Sequence, residues 1–259
     1  MHITLTGNLG SGKSTICRLM SEHYGYEVYS TGKIMRGLAA ERGLTVLEMN
    51  RLMETDHSYD NIIDETVTKI SKEADKDLFF DSRLAWHFAV NSFKVFLSVD
   101  INEAARRVFN DSRGDVETYK DVSDAKAQLI ERAHAEDLRY KDIYGIEYFN
   151  PANYDLILDS TFTSPKILAE VIQMEKQHYE YLVSSNQKPS KTRILLSPNR
   201  LCGMKCGNTR DNSDVYDSHA IVRMNIETFD VVSGKDEIND AAVSGYEFIS
   251  VTDESMIAQ

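Results

Sequence analysis

Gly7-Asn8-Leu9-Gly10-Ser11-Gly12-Lys13-Ser14 decides the fold. The stretch has the spacing Gly-x4-Gly-Lys-Ser. The β-branched run Ile3-Thr4-Leu5-Thr6 precedes it, and a helical pattern over 13–24 follows. Each residue type has a physical reason. Backbone N–H groups can wrap an anion only where no Cβ obstructs the approach, hence Gly7, Gly10 and Gly12. A helix that begins at Lys13 turns its positive end toward the loop. The Lys13 ammonium reaches the β- and γ-phosphates of a nucleoside triphosphate, and the Ser14 hydroxyl is a ligand for Mg²⁺. Gly7 to Thr15, with Asn8, Leu9 and Ser11 in the run, is therefore the predicted ATP-binding loop, and Lys13 is predicted to act on the transferred group as well.

Outward from the loop, strands and helices alternate as far as residue 183. Strands are predicted over 26–29, 77–81, 93–99 and 154–159. Helices are predicted over 33–42, 46–53, 59–73, 101–110, 123–144 and 164–183, the last with Pro165 in its first turn. Such alternation implies an α/β three-layer fold around a five-stranded parallel sheet, with the site in the loops at the carboxyl ends of the strands. At 184–190 the chain reads Ser-Ser-Asn-Gln-Lys-Pro-Ser, the composition of a linker. Beyond it, strands over 193–196, 220–224, 228–232 and 248–251 and a helix over 237–244 predict a small mixed α/β domain. The expected division is 1–183, 184–190 and 191–259.

The 259 residues carry a formal net charge of −12. That balance disfavours a nucleic-acid backbone as partner, as do the 8 basic against 11 acidic residues from 187 onward. No apolar run approaches the roughly 20 residues that span a bilayer. The first residues show neither a basic leader nor a small-residue cleavage site, and three cysteines do not suggest a disulfide framework. A reducing cytoplasm is the expected setting. Cys202 and Cys206, with a distant His219, fall short of four zinc ligands.

Two further segments concern the acceptor: Thr31-Gly32-Lys33-Ile34-Met35-Arg36 after the second strand, and Asp81-Ser82-Arg83 after the third. Thr-Gly-x-x-x-Arg at this place resembles the acceptor site of the nucleoside monophosphate kinases. The resemblance implies that Arg36 and Arg83 grip the acceptor's phosphate and that Thr31 contacts the nucleotide. It also implies that Asp81 holds Mg²⁺ through water. A guanidinium fork matches phosphate oxygens and keeps its charge. The family often has an acidic residue where this chain has Lys33. Farther on, Arg139-Tyr140-Lys141-x-x-Tyr144-Gly145-Ile146, followed by Asn153-Tyr154-Asp155-Leu156, is similar to the cytidylate kinases of the archaeal type and their bacterial relatives. This likeness implies a lid whose Arg132 and Arg139, seven apart on one helix, close on the transferring phosphoryl group. Arg106 and Arg107 are secondary candidates.

The same likeness implies CMP or dCMP as acceptor. Asp60 or Asp64, four apart on one helix face, can accept from the cytosine amine; an ordinary solvated face beside Lys69 and Lys72 explains the pair equally well. Two other readings stay open: a nucleotide-binding regulatory protein with a kinase fold, and a kinase for another small phosphorylated metabolite. Residues 191–259 resemble a ParB-like domain at 196–201, 209–211 and 229–234, but have Lys235-Asp236 where working members carry His or Arg. A regulatory or protein-binding role is expected for them.

Overall fold

The computed structural model describes residues 1–44, 48, 49, 52, 58–111, 119–187, 189, 191–203 and 209–256; for 32–36, 58–60 and 256 it describes the backbone alone. Strand β1 (His2–Gly7) runs parallel between β3 (Leu78–Asp81) and β4 (Ser92–Ser98), and all six of its residues are buried. Burial on both faces explains why β1 reads as a continuous run instead of alternating with polar residues. Strand β2 (Glu27–Ser30) pairs with β3, and β5 (Leu156–Asp159) pairs with β4. The order β2-β3-β1-β4-β5, parallel throughout, is the expected five-stranded sheet.

Helices cover both faces. Helix α1 (Lys13–Tyr24) ends at Gly25, whose φ of 73° lets its N–H reach back to Met20 and Ser21. Its buried Ile16 and Met20 join Ile3, Leu5, Phe79 and Leu97 in one core, which α7 (Pro165–Ser184) completes with Leu168 and Ile172. The remaining helices of this part are α2 (Thr31–Glu41), α3 (Ser58–Glu73), α4 (Ala85–Phe88), α5 (Ile101–Asn110) and α6 (Val122–Tyr144). Asp100 caps α5 by accepting from the backbone N–H of Asn102 at 2.9 Å and of Glu103 at 3.2 Å. The helix predicted over 46–53 lies mostly outside the described residues.

The C-terminal residues extend this sheet. Strand β6 (Arg193–Leu196) pairs in parallel with β5, and β10 (Phe248–Asp253) pairs antiparallel with β6. Next come β8 (Val222–Asn225), parallel to β10, and β9 (Asp230–Ser233), antiparallel to β8; β7 (Val215–Tyr216) pairs with β10 off this path. The result is a ten-stranded sheet, with α8 (Pro198–Leu201) and α9 (Lys235–Val243) beside the added strands. The strands on the two sides of the polar stretch at 184–190 thus belong to one sheet. The physical reason is visible in the strand faces. Leu195 enters the first core, while Ile194 and Leu196 join Phe96, Ile157, Met224 and Ile249 in the second.

Two outcomes follow for stability. A chain ending at residue 187 would bare the edge of β5 and uncover Phe96 and Ile157, so it should aggregate or melt far below the full chain; a truncated protein with an unchanged Tm would contradict this dependence on the added strands. Thr4 Oγ1 is buried with no hydrogen-bond partner among the described residues. Thr4→Val should therefore stabilise the fold by about 1 kcal/mol, read as a raised Tm.

Candidate nucleotide site

The glycine loop joins β1 to α1 at the carboxyl ends of the central strands. Gly7 is pressed against β4: a Cβ there would lie 2.3 Å from the Leu97 carbonyl oxygen. Gly12 caps α1 with φ 90°, and a Cβ there would meet no atom within 4 Å. The first thus requires glycine for packing. The second requires it for its backbone angle and leaves the helix N-terminus open to an anion. Inside the loop, the Ser11 hydroxyl donates to the Asn8 carbonyl at 2.7 Å. Asn8 Oδ1 accepts from the Val99 N–H at 3.2 Å.

Two cations converge on one carbonyl. Lys13 Nζ donates to the carbonyl oxygens of Gly7 at 2.8 Å and Asn8 at 2.9 Å. Arg83, just after β3, donates to the same Gly7 oxygen at 2.6 Å and to the Tyr148 hydroxyl at 2.8 Å. Burial, then repulsion from Arg83, pushes the Lys13 pKa down to about 7, against the pull of Asp81 and Glu136. Glu136, on α6, pairs with Arg83 at 3.2 Å through one oxygen and accepts from Arg132 at 3.1 Å through the other. Glu136 therefore ties α6 to Arg83, which reaches the Gly7 carbonyl. A cavity of about 400 Å³ lies beside it, lined by Asn8, Arg83, Glu136, Lys141 and Tyr148 among others.

The other predicted residues fall around this centre. Ser14 and Thr15 stand in the first turn of α1, with Ser14 exposed. Asp81 ends β3 and accepts from the Ser30 hydroxyl at 3.4 Å. Hydroxyl and carboxylate oxygens are the donors Mg²⁺ prefers, and this ion ordinarily completes its shell with phosphate and water, so the pair suits it without a carboxylate cluster. Thr31, half-buried, opens α2. Arg36 lies on α2, but its side chain is outside the described residues, and so is that of Asp60 on α3. Asp64 accepts from the Tyr144 hydroxyl at 2.5 Å in a second cavity, of about 390 Å³, which Lys69, Lys72 and Phe88 also line. Arg139 stacks on Tyr140, 5.7 Å from the ring centre.

Arg106 and Arg107 diverge. Both pair with Glu103, but Arg106 does so in solvent, whereas Arg107 also turns inward onto the carbonyls of Gly10, Ser160 and Thr161 at 3.4, 2.7 and 2.9 Å. Cys17 is buried on α1, Cys202 donates to Asn239, and Cys206 is outside the described residues. The sequence reading missed Glu136 and Tyr148. Glu136 follows Arg132 by four residues on a helix, the spacing of an ion pair, which is a usable signal. Nothing near Tyr148 in the sequence points to Gly7, 141 residues away.

The lowered pKa of Lys13 has a measurable consequence. A pKa of about 7 leaves this ammonium largely neutral at pH 8, and bound triphosphate oxygens should restore its charge. ATP binding at pH 8 should take up about one proton, read as a dependence of calorimetric enthalpy on buffer ionisation heat. Affinity should fall as pH rises above about 7. Lys13→Arg should abolish the uptake because a guanidinium stays charged; uptake that persists in this variant would place the titrating group elsewhere.

Comparison with known proteins agrees with this architecture. Residues 2–162 match the cytidylate kinase-like family. A cytidylate kinase of Methanococcoides burtonii is 32% identical over 174 residues, 67% of this chain and 95% of that one. One of Natronomonas pharaonis is 35% identical over 181 residues, 69% and 91% of the two chains. An S-adenosylmethionine-dependent nucleotide dehydratase of Lacinutrix mariniflava is 32% identical over 205 residues, which are 79% of this chain but 40% of that protein. Among solved structures, an uncharacterized protein of Eubacterium ventriosum superposes with a TM-score of 0.50 at 14% identity, over 67% of this chain and 96% of that one, a likeness of fold alone. With most of its length matched by that family and by relatives covered almost end to end, this chain belongs to the cytidylate kinase-like family.

Proposed function

We propose that the protein transfers the γ-phosphoryl group of ATP to a nucleoside monophosphate, with CMP or dCMP the favoured acceptor and CDP or dCDP the product. The observation that carries this reading is the meeting of Lys13 and Arg83 at the Gly7 carbonyl, under a lid helix tied to them by Glu136. Two cations beside an open helix N-terminus suit two anionic nucleotides that must approach each other.

Phosphoryl transfer through a loose transition state needs positioning and charge stabilisation more than a general base. The loop from Gly7 to Thr15 wraps the triphosphate, and Lys13 leaves its carbonyl partners for the β- and γ-oxygens. Ser14, and Asp81 through water, would hold Mg²⁺, which would neutralise part of the phosphate charge. Arg83 exchanges Glu136 for the acceptor's phosphate, opposite Arg36, with Thr31 against the nucleotide. Arg132, released from Glu136, and Arg139 come down from α6 on the transferring group. Asp60 or Asp64 takes the cytosine amine; Asp64 already accepts a hydrogen bond beside a cavity. Support for cytosine comes from the relatives named cytidylate kinase. The relative named a nucleotide dehydratase matches this chain over 40% of its own length.

A second reading is a nucleotide-binding regulator, in which residues 191–259 report the bound state to a protein partner. Their merger into the sheet beside β5 favours it. A kinase of another phosphorylated metabolite would use the same arginines. The reducing cytoplasm suits each of these readings.

A coupled assay of ADP release with CMP, dCMP, UMP, AMP and GMP separates them. Turnover should be fastest with CMP or dCMP. Nucleotide binding without turnover on any of them would sink the nucleoside monophosphate kinase and leave the regulator or a kinase of another metabolite. Arg36→Ala should raise the acceptor KM by about tenfold or more while leaving that for ATP nearly unchanged, because a lost charged hydrogen bond costs about 1.5–3 kcal/mol.

A further inference from the structure

The phosphate loop has a second, hidden support. Asp159 ends β5 and is fully buried. A buried carboxylate persists only when its oxygens are paired. Oδ1 accepts from the backbone N–H of Thr161 at 3.0 Å and from its hydroxyl at 2.5 Å, and Oδ2 accepts from the Ser197 N–H at 3.2 Å. The charge partner is Arg200, on α8 of the C-terminal segment, at 3.1 Å. Arg200 also donates to the Ser98 hydroxyl at the end of β4, at 3.0 Å. Its guanidinium lies 3.9 Å over the Phe229 ring, from the turn between β8 and β9. Phe229 keeps a φ of 61°, a backbone angle that a bulky residue rarely adopts. The guanidinium is thus held on one side by the carboxylate and on its face by the ring.

The contacts continue toward the nucleotide. Thr161 Oγ1 accepts from the Asp100 N–H, at the cap of α5, at 3.0 Å. The Ser160 and Thr161 carbonyls accept from Arg107, which also reaches the Gly10 carbonyl inside the loop. A second tie runs in parallel: the Thr163 hydroxyl donates to Glu247 at 3.0 Å, and both residues are buried. Every link joins buried or half-buried groups, where solvent screens and competes less than it does at the surface.

We infer that Arg200 is a positioning residue for triphosphate binding, and that the C-terminal segment sets the shape of the phosphate loop through the path Arg200–Asp159–Thr161–Arg107–Gly10. The segment is then a working part of the donor site. This inference rests on the triphosphate reading of the loop and is independent of which acceptor is used. Arg200 touches no nucleotide; it acts by holding Asp159, and through it the turn from Ser160 to Thr163.

The test uses the full-length protein. Arg200→Ala alone leaves a buried carboxylate unpaired and can fail to fold, so the paired change Arg200→Met with Asp159→Asn removes both charges together. Phe229→Leu, which takes away the stacking ring and keeps the ion pair, is the second variant, and Arg200→Lys the conservative one. ATP affinity by calorimetry, the KM for ATP against that for CMP, and amide exchange over residues 7–13 in the nucleotide-free protein are the readouts. In the paired variant the Kd and KM for ATP should rise about fivefold or more with little change for CMP, and exchange in the loop should speed up. Phe229→Leu should move the same quantities less, and Arg200→Lys should recover part of the loss. Unchanged ATP affinity and loop exchange in folded variants would overturn the inference. Equal rises in KM for ATP and CMP would also count against it, as a merely structural role would produce them. Should the wild-type protein bind no ATP, the functional reading itself would fall, while loop exchange in the variants would still decide whether the tie exists.

Discussion

Everything at the site depends on the Gly7 carbonyl, where β1 ends and the chain has to turn. It accepts from both Lys13 and Arg83, and the glycine is pressed so closely on Leu97 that no side chain fits. A buried central strand therefore delivers the turn to one place, and the packing of β4 fixes its height. Burial costs the ammonium its hydration, and repulsion from Arg83 at the same oxygen adds to that cost, which is why Lys13 gives up its proton more easily than an ordinary lysine. The arrangement is poised for a polyanion, whose arrival relieves the repulsion and restores the charge.

Glu136 is the counterweight. It occupies Arg83 and Arg132 at once and so couples α6 to the loop in the absence of phosphate. A phosphate oxygen can take the place of either carboxylate oxygen with similar geometry.

The other side of the loop is governed by a different buried charge. Asp159 sits where β5 meets the added strands, and its neighbours are drawn from β4, β5, α8 and, through Arg200, the β8–β9 turn. The C-terminal residues complete the sheet, close the second core and supply the cation that makes this carboxylate tolerable. Sheet continuity and the Asp159–Arg200 pair are two expressions of one fact: the end of β5 is buried in this molecule, and a buried polar terminus requires partners.

The amino-acid sequence by itself determined the loop, its strand–turn–helix context and the alternation that implies a parallel sheet, because these depend on local patterns: glycine spacing, a β-branched run, helical periodicity; the order of the strands came from the tertiary structure. The sequence also located Lys13 at the start of α1 and Arg83 just after β3, which the topology then brought together at one carbonyl. Periodicity could not reveal that residues 193–253 join the same sheet, since strand pairing between β5 and β6 is a matter of edges and not of composition. Nor could it separate Arg106, exposed on Glu103, from its neighbour Arg107, turned onto the phosphate loop. Adjacent residues on a helix point about 100° apart, and only the packing of α5 decides which of them faces the site. Tyr148 and Arg200 are likewise brought to the site by tertiary contacts alone, across 141 and 41 residues of chain, a range at which no local pattern carries information.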